Sequence, residues 1–150
     1  MKKDRVYVDT SVIGGCLDEE FAQWSLAVVE TARRGDILLL LSDLLVEELQ
    51  GAPEDVRNLL PGIPESSQLL VHVNEETNAL VQAYMKERIV SHRYTTDAHH
   101  VAMATVHRAD VLLSWNFKHI VHLDKIRKFN GVNLRLGYPI VEIRSPKEYV

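Results

Sequence analysis

Five short apolar runs, at residues 7–13, 37–41, 69–73, 111–113 and 140–143, set the tightest limit on what this chain can fold into. They are nearly continuous in apolar character instead of alternating. That pattern suits strands covered on both faces, the usual situation in a parallel sheet. The segments between them read as helices. Asn74 is placed to cap one, with Glu75 and Glu76 in its first turn and Ala79, Leu80, Ala83 and Tyr84 at helical spacing. Another starts near Thr96, where Ala98, Val101, Ala102 and Thr105 share a face. Short buried strands alternating with amphipathic helices predict a layered α/β fold with right-handed crossovers.

At 150 residues the chain matches one domain, expected over 1–150. Gly51, Pro53, Pro61, Gly62 and Pro64 predict short helices joined by turns, not a linker. Gly131 and Gly137, with Pro139 behind them, predict a helix end before the last strand. With 46% apolar and 25% charged residues, disordered and fibrous architectures fit poorly. The longest aliphatic run, 37–41, is far short of the ~20 residues that cross a bilayer. No export signal develops before Asp9, and the lone Cys16 excludes an intramolecular disulfide or a cysteine-built zinc site. A cytoplasmic location is the expectation. The net charge of -4 divides unevenly, into -8 over residues 1–117 and +4 over 118–150. An acidic body with a basic end can hold cations in one place and phosphates in another.

In open α/β sheets, sites form beyond the carboxyl ends of the strands. Asp9, followed by Thr10 and Ser11, interrupts the first apolar run. Glu47 and Glu48 follow the second, Asp97 opens a helix, and Ser114, Trp115 and Asn116 follow the fourth run. Each residue alone has an ordinary explanation as a cap, a turn or a solvated helix face. Asp9 is harder to explain so, because a carboxylate among apolar neighbours is costly unless compensated. Three acids brought together repel one another unless a cation neutralises them, and all-oxygen ligands favour Mg²⁺ or Mn²⁺. Such ions can activate a water for phosphodiester hydrolysis.

Four segments together resemble the PIN domain, the nuclease module of VapC-type toxins and other RNA-cleaving proteins. They are Val8-Asp9-Thr10-Ser11-Val12, the stretch 41–49 with Glu47 and Glu48, Thr96-Asp97-Ala98-His99-His100-Val101-Ala102, and Leu112-Leu113-Ser114-Trp115-Asn116-Phe117. Residues 126–133 and 138–143 resemble the C-terminal part of a bacterial subgroup of such proteins. The resemblance implies a three-layer α/β/α sandwich on a central parallel sheet of about five strands. It also implies a Mg²⁺- or Mn²⁺-dependent acidic site that cuts RNA. Asp9 matches the first metal-binding acid, Asp97 the acid opening the later helix, and Glu48 the middle acid, with Glu47 as the alternative. Ser11 matches the small polar residue beside the first acid, and Ser114 lies at the corresponding edge. Asn116 stands where many members carry a further Asp; it can coordinate or orient a water but adds no charge.

Adjacent residues on a helix point about 100° apart, so His99 and His100 cannot both line one site. A solvated or satisfied role is expected for each. His119 and His122, three apart in an expected helix, lack an evident third ligand. Trp24 reads as core or dimer surface. Lys118, Lys125 and Lys128 are candidate RNA-binding residues. The leading expectation is a metal-dependent endoribonuclease, the toxin of a toxin-antitoxin pair, with an antitoxin partner and a homodimeric state suggested by the resemblance. The alternatives are a catalytically weak PIN-like domain that binds RNA or protein, and a phosphatase or flap-type DNA nuclease using the same metal logic.

Overall fold

The computed structural model describes residues 2–58 and 60–150, with backbone only at Val56 and Pro61; Met1 and Leu59 lie outside the described residues. Strand β1 (Asp4–Val8) leads into helices α1 (Thr10–Gly15) and α2 (Ala22–Arg33). Then come β2 (Ile37–Ser42), α3 (Asp43–Gln50), α4 (Glu54–Arg57) and β3 (Gln68–Val71). The second half runs α5 (Glu75–Lys86), α6 (Thr95–Val106), β4 (Val111–Leu113), α7 (Leu123–Arg135), β5 (Glu142–Arg144) and α8 (Pro146–Tyr149). The strands form one sheet in the order β3-β2-β1-β4-β5, every pairing parallel.

Side-chain alternation along the strands divides the core into two layers. Tyr7, Leu40, Leu112 and Ile143 pack against α5, α6 and α7 through Tyr84, Val101 and Phe129. Val6, Val8, Leu39, Leu41, Val111 and Leu113 pack on the other face against α1, α2 and α3 through Val12, Val28 and Leu45. The result is the expected α/β/α sandwich. The capping box at Asn74 forms, its side chain accepting from Thr77 N–H while Thr77 Oγ1 accepts from Asn74 N–H.

Three expectations need correction. The first strand stops at Val8, and residues 10–15 are helical. Val12 and Ile13 are apolar because α1 is buried beneath the sheet, not because the strand continues. Gly131 does not end a helix. It lies inside α7 on an exposed face with nothing near its Cβ direction, and the chain turns only at Gly137, whose φ of +89° suits glycine. His119 and His122 share no helix, since α7 starts after His122.

Strand order reverses at β1: the chain moves outward to β2 and β3 on one side, then returns to β4 and β5 on the other. The crevice beyond the carboxyl ends of β1 and β4 is therefore the topological switch point, where open α/β sheets bind ligands. Trp115 walls this crevice. Its Nε1 donates to Ser25 Oγ at 2.8 Å and its indole stacks on Phe21 with centroids 4.1 Å apart. Gly15 is what lets the indole in, because a Cβ there would lie 2.6 Å from Ser25 Oγ and 2.7 Å from Trp115 Nε1. Gly15→Ala should therefore destabilise the chain by about 1–3 kcal/mol through overpacking. Gly14→Ala, with nothing within 4 Å, should be neutral or gain up to about 1 kcal/mol from lost chain entropy. Urea midpoints of the two variants give the comparison; equal midpoints would show that the indole is not wedged there.

Candidate active site

Parallel register explains why polar groups meet at the switch point. Tyr7 lies level with Leu40 on one side and Leu112 on the other. One pleat further along the same face come Asp9, Ser42 and Ser114. Asp9 keeps extended backbone (φ -86°, ψ 178°), and its N–H donates to Leu113 O. Its side chain thus emerges on the α6 face as the chain turns into α1.

The Asp9 carboxylate is 5% exposed and is held by two serines. Ser11 Oγ donates to Oδ1 and Ser114 Oγ to Oδ2, each at 2.6 Å. The serines are themselves polarised: Trp115 N–H donates to Ser11 Oγ at 2.8 Å and Asn116 N–H to Ser114 Oγ at 2.9 Å. No lysine or arginine pairs with Asp9 among the described residues. Burial raises its carboxyl above the ordinary carboxylate range, opposed by the nearby His100 and by the serine hydroxyls.

Asp97, in the first turn of α6, faces the same crevice. Its carboxyl is also raised, chiefly by burial, with the neighbouring Asp9 charge adding to the effect. The Asn116 carboxamide, His119 and His100 act the other way. Asn116 Oδ1 accepts from His119 N–H at 2.9 Å. In this orientation Asn116 steadies Asp97 instead of presenting a ligand oxygen.

Glu48 is placed differently. It is 39% exposed on α3, and its Oε1 lies 2.9 Å from His100 Nε2. That hydrogen bond holds its carboxyl below the usual range. His100 is buried, and its Nδ1 lies 2.6 Å from Tyr7 Oη, which is 3.0 Å from Ser42 Oγ. Burial pushes the Tyr7 phenol far up, so it stays protonated. Tyr7 Oη donates to Ser42 Oγ, and the two ring nitrogens of His100 bridge Tyr7 to Glu48. Thr10 Oγ1, buried beside Glu48, adds to the lowering of the Glu48 carboxyl. Glu47 is exposed on the same helix, with no ion pair among the described residues.

Asp9, Asp97, Asn116, Ser11 and Ser114 thus meet at one edge, and Glu48 borders it from across His100. Among the described residues, no three His, Cys, Asp or Glu side chains are gathered closely enough to hold a metal ion together. The donor chemistry nonetheless fits a hard cation: the buried Asp9 carboxylate and the half-buried Asp97 carboxylate lie together, and the charge of Asp9 raises the Asp97 carboxyl further. Glu48 borders this pair with its Oε1 engaged by His100.

The role of His100 was missed in the sequence. It is satisfied, as expected, but its partners are a site acid and a core tyrosine. Its place three residues after Asp97, on the same helical face, was the available signal. The proposed RNA-binding lysines disperse. Lys128 pairs with Asp124 at 3.0 Å, Lys125 donates to Ile89 O, and Lys118 lies 5.6 Å from the Tyr94 ring centroid. Trp24 is half-buried against Trp115, with Lys147 over its ring.

The chain is PIN/VapC-like in fold, and solved structures agree. It is similar to a chain of VapBC2 from Rickettsia felis bound to a promoter DNA fragment (TM-score 0.59, 12% identity, covering 94% of this chain and 98% of that one). It is also similar to a chain of FitAcB from Neisseria gonorrhoeae (TM-score 0.55, 17% identity, 95% and 98% covered). A chain of FitAB bound to the IR36 DNA fragment gives TM-score 0.55 at 16% identity, with 94% of each chain covered. No family model and no curated protein matches the sequence. No helix among the described residues is long and apolar enough to cross a membrane.

A folded-state carboxyl that is raised opposes folding above its ordinary range, and the cost fades as pH falls until the unfolded chain is protonated too. Asp9→Asn should therefore raise the melting temperature at pH 7 in EDTA, by about 2–4 °C for each kcal/mol relieved. The gain should shrink toward pH 4. A lower melting temperature at pH 7 would show that the buried carboxylate is already compensated.

Proposed function

We propose that this chain is a divalent-metal-dependent endoribonuclease whose acidic edge hydrolyses RNA phosphodiesters. The observation that supports it most is Asp9: a buried carboxylate without a lysine or arginine ion pair among the described residues, beside Asp97, at the switch point of a PIN-like sheet. A bound Mg²⁺ or Mn²⁺ supplies Lewis acidity there, making water a nucleophile near neutral pH and stabilising charge on the leaving oxygen. Asp9 and Asp97 are the proposed ligands. Ser11 and Ser114 fix both Asp9 oxygens, and Asn116 steadies Asp97. Glu48, kept ionised and oriented by His100, accepts a proton or a water hydrogen bond at the border of the site.

A toxin role, with an antitoxin covering the acidic groove, is proposed from likeness to the VapBC2 and FitAB complexes; a homodimer in the cytoplasm completes the reading. One observation favours a second reading, a PIN-like module that binds RNA or protein with little catalysis. Glu48 is already engaged by His100, and Asn116 brings no charge.

Purified chain should cut single-stranded RNA with Mn²⁺ and not with EDTA. Asp9→Asn and Asp97→Asn should each lower the rate by more than about 10²-fold, and His100→Ala by about 10–100-fold as an orienting group. Mn²⁺ should raise the melting temperature of the wild type but not of Asp9→Asn. RNA bound without cleavage, and no Mn²⁺ shift, would favour the second reading; cleavage surviving Asp97→Asn would reject the assigned site.

A further inference from the structure

Beside the acidic edge lies an aromatic and cationic cluster that the metal chemistry does not use. Tyr94 ends the short 3-10 turn His92–Tyr94 and leads into α6, placing it three residues before Asp97. Its ring lies against His119, centroids 3.9 Å apart and planes tilted by 32°. His119 is in turn within the field of Asp97. Two exposed cations gather on the same tyrosine, with Arg93 Cζ 5.9 Å and Lys118 Nζ 5.6 Å from the ring centroid.

Neither cation has a carboxylate partner among the described residues, whereas Lys128, Arg135 and Arg144 are paired with Asp124, Glu87 and Glu142. Phe117, the residue after Asn116, is 49% exposed and edge-on to Trp115, so one ring face of the crevice rim is open. α6 also begins without a side-chain cap. Two unpaired cations and an open aromatic, adjoining a carboxylate edge, complement a flexible polyanion with stackable bases. They do not complement an acidic protein surface alone, which has no use for the exposed ring.

We propose that Arg93 and Lys118, carried on Tyr94, form a phosphate subsite for single-stranded RNA, and that Phe117 stacks a base of the same strand. This rests on the ribonuclease reading and names the residues that hold the strand beside the acidic edge. Lys118 thereby acts with Arg93, and not with Lys125 and Lys128 along α7.

The test is fluorescence anisotropy of the full chain with a labelled oligouridine, in EDTA to prevent cleavage, across a range of KCl concentrations. For single strands the slope of log K against log salt is about -0.7 per phosphate neutralised. The Arg93→Gln/Lys118→Gln double variant should therefore flatten the slope by about 1.4. Phe117→Ala should weaken binding at least fivefold with the slope unchanged, as loss of stacking requires. Lys2→Gln, at the opposite edge of the sheet, should change neither. Unchanged slope and affinity in the double variant, or no oligouridine binding by the wild type, would overturn the subsite. Cleavage with Mn²⁺ is scored separately: a wild type that cuts while the double variant binds normally rejects the subsite alone. A wild type that binds with the expected slope but never cuts rejects the nuclease reading alone.

Discussion

Everything at the carboxyl edge of this sheet depends on keeping the Asp9 carboxylate out of water. A buried acid is expensive, and the structure meets part of the cost with the nearby His100 and two hydroxyl donors. Ser11 comes from the start of α1 and Ser114 from the end of β4, so the hydrogen bonds also tie two neighbouring crossovers together. The loop carrying Ser114 is fixed from behind by Trp115, whose indole is pinned to Ser25 and Phe21 in the opposite layer. Packing on one face of the sheet thus sets the position of a donor on the other.

The acids do not share one environment. Burial pushes Asp9 and Asp97 toward protonation, while His100 holds Glu48 ionised. Pairs of titratable groups driven apart in this way mark divided roles. The raised acids are the ones a cation would relieve. The lowered acid already has a donor and is free to interact with water at the border. His100 performs the coupling: through Tyr7 it connects a helix, a core strand and the α3 acid in one chain of hydrogen bonds.

Much of this was legible in the sequence where local and long-range forces agree. The run 111–113 is a strand at its expected bounds, and Asn74 caps its helix, because apolar continuity and capping chemistry are local properties. Asp9, Asp97 and Asn116 could be placed at one edge because parallel strands deliver their carboxyl ends together. What was hidden is relational. Whether Val12 and Ile13 continue a strand depends on α1 finding cover beneath the sheet, and Gly131 lies within α7 on a face that meets nothing. The fifth strand sits later than the apolar run 140–143 because Ile140 is exposed and only Glu142–Arg144 pair with β4. Glu48 looked like a direct metal ligand, and its engagement by His100 is a contact between residues 52 positions apart that no local pattern encodes.

The charges of the C-terminal third show the same distinction between sequence and surface. Read along the chain, Lys118, Lys125, Arg127, Lys128 and Arg135 form one basic run. Folding breaks it apart: Lys128 and Arg135 are spent on carboxylates, and Lys125 on a backbone carbonyl. Exposed ion pairs of this kind contribute little to stability, yet they remove cations from the field that an anion would feel. An acidic chain can therefore still receive a phosphate, provided that a few unpaired cations stand where the strand must pass. Arg93, remote from the run in sequence, joins Lys118 on one tyrosine ring. Local position, not net charge, decides what this edge attracts.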